Sequence, residues 1–277
     1  MLHFCLRALT LAALLLSFAL PTALAQTKVL NDTFTGASTV NSNPASPTNP
    51  SPTAVAYQQL ATKLFFPSPP VITEGNLRTG IVSTSSGMNH VQALFTRYPV
   101  TLVNTGNYIE FTTVFSTEGG VLTGPNAAAS ALYVGLYNAG QVEPFPGGIN
   151  GTANNAIAGF AQTWQGYVNR LLFAGGTNGF YSRTARAPAE ANNQDVVFAY
   201  AGASSVGSTA SSTMASLENG GTYTVVYRIT KTGAAALNLT TSFYAGATVT
   251  ATPLYTQSAN SSSIVTDVFD AFAIGWR

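Results

Sequence analysis

Three stretches of the chain alternate between two kinds of position. From Tyr108 to Phe115, Ile109, Phe111, Thr113 and Phe115 fall on one side and Tyr108, Glu110, Thr112 and Val114 on the other. Ala131 to Asn138 sets Leu132, Val134 and Leu136 against Tyr133, Gly135 and Tyr137. Thr222 to Thr230 sets Tyr223, Val225, Tyr227 and Ile229 against Thr224, Val226, Arg228 and Thr230. A period of two carried by aromatic and β-branched residues predicts half-buried strands. Shorter strand signals occur at Lys28–Phe34, Val71–Thr73, Gly80–Thr84, His90–Thr96, Val100–Leu102, Gly166–Phe173, Gly179–Arg183, Val196–Gly202, Leu237–Tyr244 and Phe269–Gly275.

Glycine-bearing turns separate these runs, at Asn104-Thr-Gly, Glu118-Gly-Gly, Asn219-Gly-Gly and Lys231-Thr-Gly. Past residue 25 no amphipathic helix is visible, and Thr53 to Leu64 offers at most a turn or two. Many strands with short turns predict an all-β sandwich or jelly roll. No fixed-period repeat supports a propeller or a β-helix.

Met1 to Ala25 departs from this pattern. Arg7, the apolar run Leu9–Leu20 and Ala23-Leu24-Ala25 have the three parts of a cleaved secretory signal. The apolar run is shorter than the roughly 20 residues a spanning helix needs, and no later stretch approaches that length, so no membrane span is expected. Cleavage before Gln26 leaves residues 26–277 as a β-sandwich domain, secreted or periplasmic. Cys5 and His3 depart with the signal, leaving no cysteine and one histidine, His90. An exported chain without disulfides relies on its core and its backbone hydrogen bonds, which suits a bacterial product.

Composition narrows the function classes. Only 8% of residues are charged against 46% hydrophobic, where an ordinary domain is about 25% charged. Ser, Thr, Asn and Gln must therefore cover the surface. With 11 Lys+Arg against 10 Asp+Glu, there is no field to attract nucleic acid or an acidic partner. Residues 35–56, rich in Pro, Ser, Thr and Asn, read as a long surface loop.

The order of motifs resembles a known family. Asn31-Asp-Thr-Phe-Thr-Gly is followed by Thr105-Gly-Asn-Tyr-Ile-Glu-Phe-Thr-Thr-Val-Phe and Leu132-Tyr-Val-Gly-Leu-Tyr-Asn. Next come Gly166-Tyr-Val, Gly179-Phe-Tyr-Ser-Arg, Gly221-Thr-Tyr-Thr-Val-Val-Tyr-Arg-Ile and Phe269-Asp-Ala-Phe-Ala-Ile-Gly. This is similar to the exported bacterial form of the concanavalin A-like lectin/glucanase (LamG-like) group. The resemblance implies a jelly roll of two curved antiparallel sheets, with first and last strands side by side. It also implies glycans bound or cleaved on the concave sheet, and often a structural calcium. Fold does not carry activity, so each property rests on the residues present.

Hydrolysis needs two carboxylates at catalytic separation. Only Asp267 and Asp270 are close in sequence, and a spacing of three puts them on opposite faces of a strand. Lyase members use Tyr and His beside Arg and Gln. His90, Gln92, Arg97, Tyr181 and Arg183 offer those types, without the family's Gln-Ile-His or Tyr-Phe-Lys-Ala-Gly motifs, and His90 is expected at a solvated strand start. No Gly-x-Ser-x-Gly elbow or zinc cluster is present.

Calcium accepts oxygen ligands, and Asp32 and Asp270 would approach each other if the terminal strands paired. The alternative is that Asp32 ends a strand and Asp270 caps a turn. For a glycan the candidates are Tyr108, Glu110, Tyr133, Tyr137, Trp164, Tyr167 and Arg170, which supply stacking rings and polar partners. The competing reading makes those rings core, as Trp276 is expected to be. The expected function is a secreted, polysaccharide-binding β-sandwich. The alternatives are a lyase or hydrolase of the same fold and a structural or surface-layer protein.

Overall fold

Strands carry nearly all the regular structure in the computed structural model. It describes residues 26–32, 34, 38–39, 57–61, 71–73, 75–78, 89–96, 98–118, 131–142, 144, 149–150, 160–173, 175–186, 196–197, 203–211 and 214–276. In chain order the strands are β1 (Ser38–Thr39), β2 (Gln58–Ala61), β3 (Val71–Thr73), β4 (Asn76–Arg78), β5 (Asn89–Leu94) and β6 (Val100–Thr101). There follow β7 (Tyr108–Ser116), β8 (Ala131–Asn138), β9 (Ile149–Asn150), β10 (Gln165–Leu172), β11 (Thr177–Arg183) and β12 (Ala203–Ser211). The last are β13 (Thr222–Gly233), β14 (Ala236–Ala245), β15 (Tyr255–Ser261), β16 (Val268–Phe269) and β17 (Ala271–Trp276). Phe160–Thr163 forms one 3₁₀ turn.

Two sheets dominate. One has eight strands in the order β12-β11-β10-β8-β17-β5-β2-β9, antiparallel except between β2 and β9. The other has four, β15-β14-β13-β7, all antiparallel. The inner faces share one apolar core. Val91, Leu132, Val134, Leu136, Leu171 and Phe180 come from the large sheet, and Ile109, Val225, Tyr227, Ile229, Leu239 and Phe243 from the small one. Each fully buried side chain of this size stabilises by roughly 1.5–3 kcal/mol relative to exposure. Trp276 joins the core, with its ring 5.5 Å from that of Phe115 and 5.9 Å from that of Phe173.

The large sheet is also covered on its outer face. Tyr133, Tyr137, Trp164, Val168, Val196, Val197, Ala271 and Ala273 form a second apolar cluster there. This explains β8, whose aromatic side of the alternation is as buried as its aliphatic side.

The three strictly alternating stretches are strands, but β8 is buried on both faces rather than half-buried. Elsewhere the chain differs from the sequence reading. The described residues of Lys28–Phe34 form no strand; Asp32 Oδ1 accepts the Phe34 amide at 2.7 Å, a local turn bond that competes with a ladder. The first and last strands do not pair, since β1 lies against β3 while β17 lies between β5 and β8. Val196–Val197 is irregular and the rest of that predicted strand lies outside the described residues. The 1–25 segment, most of the 35–56 loop and Gly80–Thr84 also lie outside them. No helix among the described residues is long and apolar enough to cross a membrane.

Candidate functional site

The candidate binding residues fall in three separate places. Tyr133, Tyr137, Trp164 and Arg170 are on the outer side of the large sheet. Tyr108 and Glu110 are on the outer face of the small sheet. Tyr167 is between the sheets, where its ring packs in the core and its hydroxyl accepts the Val265 amide at 2.8 Å. Burial of Tyr167 raises its pKa, partly offset by backbone bonds at Val265 and Thr266.

On the large sheet the register builds rows. His90, Gly275, Tyr133, Arg170 and Gly179 are successive cross-strand neighbours. The next row holds Gln58, Gln92, Ala273, Gly135, Val168 and Tyr181. A third holds Leu94, Ala271, Tyr137, Gly166 and Arg183. Four of the five lyase-type residues therefore share one face; Arg97 lies outside the described residues.

Most of this face is sealed. His90 is fully buried rather than at a solvated strand start, because β5 is an interior strand between β17 and β2. Burial, and secondarily the Arg183 charge, push the His90 pKa down to about 3, so the ring is neutral at ordinary pH. Its Nε2 is 2.6 Å from Gln92 Nε2, and its Nδ1 has no partner among the described residues. Arg183 donates to the carbonyls of Trp164 and Gln162.

Tyr137 and Trp164 are 0% exposed and Tyr133 is 3% exposed, so none of these rings offers a face to a sugar. Tyr137 lies flat over Gly135 and Gly166, where any side chain would strike it, and donates to Val196 O at 2.5 Å. Trp164 donates through Nε1 to Val142 O at 2.8 Å. Large flat rings fill this face because glycine and alanine leave room for them. The part that remains accessible is the stack of Arg170 on the half-buried Tyr181, 5.4 Å from guanidinium to ring centre.

The outer face of the small sheet is open. Tyr108 is 36% exposed, and the Arg228 guanidinium lies 4.4 Å from its ring centre. Arg228 is opposite Glu110 on the neighbouring strand and pairs with it at 2.5 Å. Around them the register places uncharged groups in rows. Arg228, Thr240 and Ser258 are neighbours, as are Thr230, Asn238 and Asn260, and also Thr112, Val226, Ser242 and Thr256. Neighbours within a row are about 4.8 Å apart. Asn238 donates to Asn260 Oδ1 at 2.8 Å. Tyr244 stands on the same face. Arg228 and Tyr244 were not singled out from the sequence. Alternation puts Arg228 on a polar face, but the strand facing it is fixed only by tertiary register.

Both candidate metal ligands hold protein hydrogen atoms. Asp270 is fully buried and accepts Ala139 N at 2.6 Å, Gln141 N at 3.0 Å and Gln141 Nε2 at 2.9 Å, which is the turn-capping role. Asp32 accepts the Phe34 amide and, at 2.7 Å, the Tyr57 hydroxyl. Burial first, and then Asp32, raise the Tyr57 pKa. No group of three or more His, Cys, Asp or Glu that could hold a metal occurs among the described residues. Comparison with protein-family models, with curated proteins and with solved structures returns no match to this chain.

Proposed function

We propose that the protein is an exported carbohydrate-binding β-sandwich of the concanavalin A-like jelly-roll type, recognising an extracellular or cell-surface polysaccharide. The observation that carries this reading is the open face of the four-stranded sheet. There an exposed tyrosine is oriented by a paired arginine among rows of uncharged hydroxyls and amides. Sugars are recognised by ring stacking and neutral hydrogen bonds. The Arg228–Glu110 pair on this face is internally neutralised, so binding depends little on salt.

The test is retention on insoluble polysaccharides and on a glycan array, with and without calcium, scored for both retention and released products. Tyr108→Ala and Arg228→Ala should each lose retention while keeping the wild-type unfolding midpoint. Full retention by both variants would remove this face from the reading. Loss of wild-type binding on chelation would bring in calcium and Asp32.

A second reading, a polysaccharide lyase, draws on His90, Gln92, Tyr181 and Arg183 sharing one face of the large sheet. A neutral histidine can accept a proton. Products released by the wild type and abolished in His90→Gln would favour it over binding. Neither retention nor products on a broad panel would favour a structural or surface-layer role.

A further inference from the structure

Between the two sheets lies a patch that is polar where its surroundings are apolar. On the inner face of the small sheet Tyr227, Thr241 and Gln257 stand side by side across β13, β14 and β15. Tyr255 precedes Gln257 by two residues on the same face. Across from them the large sheet contributes Asn169 from β10 and Asn178 from β11. The ring of Phe180, the cross-strand neighbour of Asn169, stacks on Tyr227 with centroids 6.1 Å apart. A side-chain hydrogen bond from Asn178 to the Tyr255 hydroxyl opposes the rise in the Tyr255 pKa caused by burial.

All six residues are buried, none more than 8% exposed. Asn169 Nδ2 donates to Gly179 O at 3.1 Å, and Asn178 Oδ1 accepts from Leu172 N at 2.6 Å. Five side-chain atoms are left over: the hydroxyls of Tyr227 and Thr241, both amide atoms of Gln257, and Asn169 Oδ1. None has a hydrogen-bond partner among the described residues.

Native interiors leave few buried polar atoms unpaired, and those that depart from the rule are commonly served by bound water. Scattered singly, such atoms would point to nothing. Gathered around one interior patch, they call for a shared ligand. That ligand is small, since the patch is enclosed by Val225, Ile229, Leu239 and Phe243. It is neutral, since no charged group is in the set. It both donates and accepts, because the set mixes carbonyl oxygens, amide nitrogens and hydroxyls that do either. Amide rotation exchanges donor and acceptor positions without changing that balance.

We infer that the space between β10–β11 and β13–β15 is an internal hydration site, a small cluster of ordered waters each held by two or more of these atoms. The waters join the two sheets by hydrogen bonds beside the stack of Phe180 on Tyr227.

The experiment uses the purified protein and the single variants Tyr227→Phe and Thr241→Val, which remove one hydroxyl and keep the shape. Oxygen-17 relaxation dispersion of the solvent counts waters with long residence times, and urea unfolding reports stability. Both variants should hold fewer long-lived waters than the wild type. Their urea midpoints should fall at unchanged slope, the folding equilibrium constant dropping roughly two- to tenfold per lost bond. An unchanged water count in both variants overturns the site whatever the midpoints do. So would midpoints that hold or rise, because deleting an unsatisfied buried hydroxyl is neutral or stabilising.

Discussion

Lys231 Nζ lies 2.6 Å from Asp267 Oδ2, and the backbones of both residues grip the same short segment. The Lys231 amide donates to Asn107 O, the Gly106 amide donates to Lys231 O, and the Leu102 amide donates to Asp267 O. The ion pair thus fastens the approach to β7 between the end of β13 and the approach to β16.

The two partners differ in access to water, with the lysine side chain 7% exposed and the aspartate 34%. Asp267→Asn should therefore cost on the order of 2 kcal/mol, below the roughly 3–5 kcal/mol of a fully buried pair. Lys231→Met keeps the packing and leaves a carboxylate that water reaches, so it should cost under about 1 kcal/mol. Urea unfolding of both variants checks the order, and a larger loss from Lys231→Met would contradict it.

His90 makes stability depend on pH. Its pKa is about 3 in the fold against 6.5 for the free side chain, so between those values the unfolded chain binds more protons. Stability is full above about pH 6.5 and is lost as pH falls toward 3. The urea midpoint should decline from pH 7 to pH 5, before most carboxylates titrate. A His90→Gln variant should flatten that decline.

Asp270 should matter more as a cap than its position in the sequence suggests. Asp270→Ala abandons the buried Ala139 amide and two partly buried Gln141 donors and should cost about 2 kcal/mol. Asp270→Asn loses the charge but keeps one acceptor, and should fall between the two. Thermal unfolding with added calcium and with chelator, run on the same variants, tests whether a metal contributes.

Much of the architecture was legible because it rests on local alternation. β7, β8, β13 and β14 carry aliphatic, aromatic or β-branched residues along one side of their alternation, and their faces follow from that. β12 and β15 were missed for the opposite reason. Ala-Ser-Ser-Val-Gly-Ser-Thr-Ala-Ser and Tyr-Thr-Gln-Ser-Ala-Asn-Ser have few residues of high strand propensity. Neighbouring strands hold them in place; at Gly207 an added Cβ would come within 2.9 Å of the Ala259 Cβ.

The candidate site was less legible, and the residues show why. Tyr133 and Tyr108 look alike in sequence, each on the aromatic or polar side of an alternating strand. One is under a second apolar cluster and the other faces solvent, a difference made by segments distant in the chain. Strand periodicity assigns a face but not what covers it.

Gly166 provides a sharp test of the sealed face. A Cβ there would collide with Leu136 O and stand 2.7 Å from Tyr137 Cδ1. Gly166→Ala should cost more than about 3 kcal/mol, beyond ordinary overpacking. Gly140→Ala is the control. Its φ of +61° lies in open space, so only the left-handed backbone penalty of about 1–2 kcal/mol applies. Similar midpoints for the two variants would mean that Tyr137 can move aside.

Because β8 is buried on both sides, hydrophobicity cannot tell it from a copy of itself slid by one residue. Such a slip would exchange Leu132, Val134 and Leu136 for Tyr133, Gly135 and Tyr137 at little change in apolar area. What distinguishes the two alignments is steric. Only one brings Gly166 beneath the Tyr137 ring, where an added Cβ would strike it. Gly166 therefore works as a key that selects a single pairing of β8 with β10.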